Sequence, residues 1–221
     1  LFLNHPYGRP VIGWMSEIKK LTTENALAFY RKHYAPNNAM LIIAGDVSVE
    51  NVRMLAEKYY GPIPSRVVPA RVRPKEPPHR AARRVVLKNV RVRLPSWSRT
   101  YLAPSYAAGE KRHVYPLEVL AQVLGGGSTS RLYRKLVVER GIASSAGAWY
   151  SGDGLDYGEF GVYVSPKAGG DIQVLENAMV EELAAAIKEG FQPADIDRAK
   201  KLISAQAIYA RDGIRAGPNA I

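Results

Sequence analysis

Cysteine is absent from the 221 residues, and histidine is scarce, with four copies. Without thiols the chain has no disulfide, no thiolate metal site and no cysteine nucleophile, and that absence fits any compartment. The histidines, His5, His33, His79 and His113, are scattered, and none stands at i, i+4 from another. Neither H-E-x-x-H nor its inversion H-x-x-E-H occurs, which excludes a local two-histidine zinc site. No apolar run approaches the roughly 18 residues of a membrane span, so no transmembrane segment is expected. The opening Leu1-Phe2-Leu3-Asn4-His5-Pro6-Tyr7-Gly8 lacks an initiator methionine, a basic start and a small-residue cleavage site. It reads as the beginning of an internal segment rather than of a secretory leader.

Hydrophobic residues make up 47% and charged residues 23% of the chain, the balance of a folded globular protein rather than a disordered one. The net charge is +11, and its distribution is uneven. Between Arg66 and Arg93 stand ten Lys/Arg and one acid, Glu76, so this stretch carries +9 of the total. It overlaps Pro62–Pro78, which holds six prolines. Proline fixes φ and removes backbone donors, so an extended linker is expected there. The organisation read from composition is residues 1–61, a linker over 62–82, and a second folded segment over 83–221.

In the first segment, Ala26, Phe29, Tyr30 and His33 recur with helical spacing, predicting a helix over Thr23–Tyr34 that Pro36-Asn37-Asn38 ends. The apolar run Ala39–Ala44 predicts a buried strand. Ser48 caps a second predicted helix with Val52, Leu55, Ala56 and Tyr59 on one face, and Gly61 is expected as its left-handed terminator. In the second segment, strands are predicted over Arg84–Lys88, Ser98–Leu102, Ala146–Tyr150 and Glu159–Val164. Helices are predicted over Val114–Leu124, Ser128–Arg140, a stretch with Leu175, Ala178, Met179, Leu183, Ala186 and Ile187 on one face ending at Gly190, and Pro193–Arg211. The tail from Gly213 reads as loop. The fold class is α+β, with helices on one face of a mixed sheet.

Four features invite a chemical reading. His33, on the apolar face of its helix, reads as a packed or boundary residue rather than a ligand. Gly125-Gly126-Gly127-Ser128-Thr129-Ser130 resembles a phosphate loop, but a Walker loop needs G-x-x-x-x-G-K-[ST] after a strand, whereas these glycines follow a helix and the next lysine is Lys135. A helix-to-helix turn, with Ser128 capping the second helix, is the better reading. Gly152-Asp153-Gly154-Leu155-Asp156 lacks the ligand order of a calcium loop and reads as a turn between strands. The basic stretch allows a different class of protein, a nucleic-acid or membrane-surface binding module. Only Trp97 lies near it, so base stacking is poorly served and nucleic acid is not expected as a partner.

Several segments resemble, in order, the insulinase/pitrilysin family of zinc peptidases. They are His5–Gly13; Phe29–Asn38 followed by Ile42–Val47; Leu124-Gly125-Gly126-Gly127-Ser128-Thr129-Ser130-Arg131-Leu132-Tyr133; Glu139-Arg140-Gly141; and Asp195–Lys200. The resemblance implies an inverted zincin whose H-x-x-E-H motif, zinc ligands and general-base glutamate all stand upstream of His5. It therefore implies that 1–61 closes a first, catalytic domain and that 83–221 is most of a second. No catalytic, cofactor or metal residue is expected within this chain, and zinc belongs to the intact protein. Gly125, Gly126, Gly127, Ser128 and Arg131 are the candidates for a chamber or partner-contact loop. Some family members carry an arginine and a tyrosine in a pattern like R-x-x-x-G-x-x-Y; aligned on Gly141, those positions hold Val137 and Ser144. This resembles the zinc-bearing subunit of bacterial two-subunit members. It implies a peptide substrate, a second subunit bringing the Arg/Tyr pair, and a periplasmic or extracytoplasmic setting. A non-catalytic structural subunit of the same family is the alternative.

Overall fold

A computed structural model describes residues 1–213 of the chain. It divides into two compact units, one comprising Leu1 with Arg83–Ala207, the other built on Phe2–Ala82.

The Phe2–Ala82 unit holds a short helix α1 (Met15–Ile18), α2 (Thr23–His33) and α3 (Val49–Tyr60). Both longer helices start where a hydroxyl meets an orphan N–H: Thr22 Oγ1 accepts from Asn25 N and Ser48 Oγ accepts from Asn51 N, each at 3.3 Å. Neither helix has a buried residue, and Phe29 and Tyr59 are 60% and 63% exposed. The helical periodicity is present, but nothing described covers the face it defines. His33 is half-buried beside Phe29, with ring centroids 4.6 Å apart, which suits a boundary residue.

Two expectations fail in this unit. Ala39–Ala44 is irregular and exposed rather than a buried strand. A strand exists only as part of a ladder, and the three described strands all lie between Trp97 and Pro166 and pair with one another. Gly61 ends α3 in the right-handed region, at φ −54°, not as a left-handed terminator. Pro62–Pro78 beyond it has no regular structure apart from the turn at Pro62–Ile63. Within it Glu76 folds back, and its carboxylate accepts from the backbone N–H groups of Leu3, Asn4 and His5 at 2.8–3.0 Å. Burial of the side chain pushes its pKa up, but the three backbone donors and the His79 side chain together outweigh it and bring the pKa down to about 2.

The Arg83–Ala207 unit is built on a sheet of order β1-β3-β2: β1 (Trp97–Ala103), β2 (Ala143–Ser151) and β3 (Gly158–Pro166). Both pairings are antiparallel, so the α+β class stands while the sheet is not mixed. Alternation along β3 puts Phe160, Val162 and Val164 on one side, where they share a core with Ala121 and Leu124 of α4 (Val114–Gly125) and with Leu175, Ala178 and Met179 of α5 (Ile172–Glu189). Both helices therefore lie on one face. Gly190 ends α5 at φ +72°, a conformation that favours glycine, and α6 (Pro193–Tyr209) opens with proline in its first turn.

The predicted strand Arg84–Lys88 has no regular structure and no strand partner, with Val85 90% exposed. Arg84 is fastened instead by its guanidinium, a two-point bond to Glu176 of α5 at 2.5 and 2.7 Å. Ile187, expected on the buried face of α5, is 86% exposed, because in that last turn it is Ala186, about 100° round the helix, that faces the core. The segment Ser128–Arg140 is not a regular α-helix. Helical structure begins at Arg131 and widens to a π-helix over Tyr133–Glu139, with Arg140 N bonding to Lys135 O at 2.9 Å. Residues 214–221, most of the predicted tail loop, lie outside the described residues.

Candidate functional site

The glycine loop joins α4 to this π-helix, and each of its glycines answers a different constraint. A Cβ on Gly125 would stand 1.8 Å from the backbone nitrogen of Ala148, so only glycine lets the end of α4 lie against β2. Gly126 abuts the side chain of Gln122, whose amide donates to Gly126 O at 2.9 Å. Gly127 has φ +102° and open space around it. Gly127, Ser128 and Thr129 are exposed. Ser128 lies in the turn and does not cap the following helix; Ser130 is the buried serine, and its hydroxyl donates to Gly127 O at 2.6 Å. The helix starts three residues later than expected because the turn needs that length to close on Ser130.

Arg131 is directed inward. Its guanidinium bonds Glu189 at 2.7 Å and lies 3.8 Å from Glu182, both on α5, and this pairing holds the Glu189 carboxyl below its usual range. Arg140 reaches Glu181 of the same helix at 3.1 Å. The loop is thus offered to solvent by its glycine and hydroxyl tip while two arginines bind its following helix to α5. Beside it lies a cavity of ≈ 180 Å³ lined in part by Arg131, Arg134, Lys135, Arg198, Glu189 and Asp195. Three of those four cations are already ion-paired: Arg131 to Glu189, Lys135 to Glu139 at 2.7 Å and Arg198 to Asp195 at 2.5 Å. A cavity so neutralised offers little to an anion, which counts further against a phosphate site.

Val137 and Ser144 are brought to different surroundings. Val137 packs against the core. Ser144 is exposed at an irregularity in the β2–β3 register, with its hydroxyl 3.3 Å from Ser165 O. Gly152–Asp156 forms the connection between β2 and β3, as expected of a turn. Among the described residues no three His, Asp or Glu side chains gather as metal ligands would, so the residues present do not fit zinc.

The sheet has a second face, which sequence reading passed over because alternation alone does not say which face stays uncovered. It presents Ser98, Thr100 and Leu102 of β1, Glu159, Gly161 and Tyr163 of β3, and Gly147, Trp149 and Ser151 of β2. Trp149 occupies the space over its cross-strand partner Gly161, where a Cβ would meet the indole at 2.1 Å. Tyr163 does the same over Gly147, at 2.6 Å. Among the described residues no helix packs on this side within the unit.

Comparison with known proteins places these features in context. Residues 20–203 match the family model described as the Peptidase M16 inactive domain. A zinc protease of Streptomyces coelicolor, itself uncharacterised, is 33% identical over 208 residues, covering 90% of this chain and 43% of that protein. The structure of a protease from Helicobacter pylori superposes with TM-score 0.85 at 24% identity, over 99% of this chain and 52% of that one. The periplasmic protease PqqL of Escherichia coli superposes with TM-score 0.73 at 21% identity, over 91% of this chain and 22% of that one. These two likenesses show the fold. The chain spans less than half the length of the curated relative.

Proposed function

The chain belongs to the M16 peptidase family, and from that premise we propose that it is an internal part of the zinc-bearing subunit of a bacterial metalloendopeptidase. The observation that carries the reading is the inactive-domain match over residues 20–203, in a chain whose curated relatives are named zinc proteases. Residues 1–61 would close a first domain, 62–82 would link, and the segment from residue 83 would form most of a non-catalytic second domain. Zinc and the general base would come from parts of the protein outside these 221 residues.

In this role the chain contributes chamber wall and partner surface. The exposed tip Gly127-Ser128-Thr129 is the contact loop, with Gly125 and Gly126 packed at its base and Arg131 its anchor to α5 rather than a contact itself. Peptide is the substrate. A second subunit supplies an arginine and a tyrosine where this chain has Val137 and Ser144. Neither valine nor serine replaces an arginine's charge and forked donors, and loss of one preorganised donor costs on the order of 10²–10³ in turnover. The setting is periplasmic or otherwise extracytoplasmic.

The test compares the purified full-length subunit with and without its partner at equal zinc loading, on a quenched peptide. Fast cleavage only in the complex is the expected result; equal rates alone would replace the two-subunit reading with a self-sufficient peptidase. A full-length protein that neither binds zinc nor cleaves in any combination would establish the structural-subunit alternative.

A further inference from the structure

We infer that the helix-free face of the sheet carries a subsite for a basic side chain, lysine or arginine, of an extended peptide, with Glu159 and Trp149 as the groups that recognise it. The inference rests on the peptide-substrate reading above and deepens it.

Three observations converge. First, Glu159 is the only side chain with a formal charge among the strand residues of that face. It has no ion-pair partner among the described residues, although the chain carries a net charge of +11. Cations are plentiful in this protein, and none has been placed on this carboxylate. Second, Glu159 is only half-buried and is oriented by a neutral donor, the Trp149 indole, with Nε1 3.3 Å from its Oε1. That bond leaves the carboxylate its charge and its other oxygen. Third, the same indole lies beside it, and the 39%-exposed ring of Tyr163 lies beyond the indole, with the two ring centroids 6.2 Å apart. A cation is favoured near an aromatic ring and next to a carboxylate, so the two kinds of group select the same ligand. Gly161 and Gly147 are what make the arrangement possible, since any side chain there would displace the rings. The remaining strand residues of this face, Ser98, Thr100, Leu102 and Ser151, carry no charge that would compete with Glu159 or repel a cation.

Charge complementarity therefore commits the face to a cationic group, and the peptide-substrate reading supplies it as a lysine or arginine side chain. An exposed ion pair together with an aromatic contact favours the charged side chain by about tenfold over an uncharged isostere.

The Trp149 indole N–H is itself the reporter. The 221-residue chain, labelled with ¹⁵N, is titrated with an N-acetylated, C-amidated heptapeptide of alternating threonine and valine bearing one central lysine. The same peptide with norleucine at that position, and a norleucine peptide with a free N-terminus, are titrated in parallel. Trp149→Phe assigns the indole signal. The lysine peptide should move that signal and bind about tenfold more tightly than either norleucine peptide. Glu159→Gln should keep the Trp14 and Trp97 signals in place and abolish the preference. Equal binding of lysine and norleucine peptides, or a preference that survives Glu159→Gln, overturns the subsite and leaves the peptidase reading standing. Preference for the free N-terminus overturns it in favour of terminal-amine recognition. Absence of any binding also overturns it, while cleavage of these peptides by the full-length complex decides the broader reading separately.

Discussion

Replacing each glycine of the 125–127 loop by alanine separates three physical costs that the sequence presents as one motif. At Gly125 the new Cβ meets backbone: Ala148 N at 1.8 Å, Gly147 C at 2.4 Å and Ala148 Cα at 2.7 Å. No rotamer relieves a clash with a strand, so α4 must lift from β2. Overpacking against backbone costs about 3 kcal/mol, and the helix propensity gained from alanine returns at most about 1 kcal/mol. A net loss of roughly 2 kcal/mol or more is expected. At Gly127 space is free but φ is +102°, and the strain of holding alanine there is about 1–2 kcal/mol. At Gly126 the Cβ meets only the flexible end of Gln122. Moving that side chain loses one hydrogen bond, worth about 1 kcal/mol or less. The assay is denaturant unfolding followed by tryptophan fluorescence in a Trp14→Phe background, so that Trp97 and Trp149 report only on the unit that contains the loop. The expected order of destabilisation is G125A, then G127A, then G126A. If G125A unfolds within about 0.5 kcal/mol of the parent, or if G126A is the most damaging, the packing account of this loop is wrong.

The Glu176 carboxylate, nearly buried on α5, is held below its usual range chiefly by the Arg84 hydrogen bonds, against the opposing effect of burial. Its folded pKa lies below its unfolded one, so its contribution is complete above the unfolded value and is lost as pH falls through the folded value; Arg84→Met should therefore shift the acid-unfolding midpoint to higher pH, and an unchanged midpoint would refute the linkage. Glu76 should titrate near pH 2 by carboxyl NMR, and Glu76→Ala should expose the Leu1–Gly13 loop to proteolysis at neutral pH. Brief trypsin treatment should cut first between Arg66 and Arg84, where regular structure is absent, while the α5 interior Leu175–Ile187 survives. Val137→Arg should destabilise by on the order of 2–3 kcal/mol because the side chain packs on the core, whereas Ser144→Tyr at its exposed site should fall within about 0.5 kcal/mol of neutral.

The helices were legible wherever a local signal and a periodic face coincided. Ser48, Thr23–His33, Gly190 and Pro193 are such signals, and they act through bonds and torsions a few residues long. The strands Trp97–Ala103, Ala143–Ser151 and Gly158–Pro166 were also found, with shorter bounds. Ala39–Ala44 and Arg84–Lys88 have the same apolar character and form no strand, because a ladder needs a partner that composition cannot supply. The glycine loop was visible as a run of three glycines. Its anchoring was not, since the carboxylates that turn Arg131 inward lie on α5, more than fifty residues away.

Sequence by itself determined the α+β class, the resemblance that led to the family, the places of the longer helices and the absence of a two-histidine zinc motif. Each follows from residue identity and near-neighbour spacing. Tertiary structure alone decided that Gly125 serves close packing, that Glu76 clamps the N-terminal loop, and that Glu159, Trp149 and Tyr163 share the face of the sheet opposite its helices. These depend on which distant backbones approach within a few ångströms, and strand register, not local preference, sets that distance.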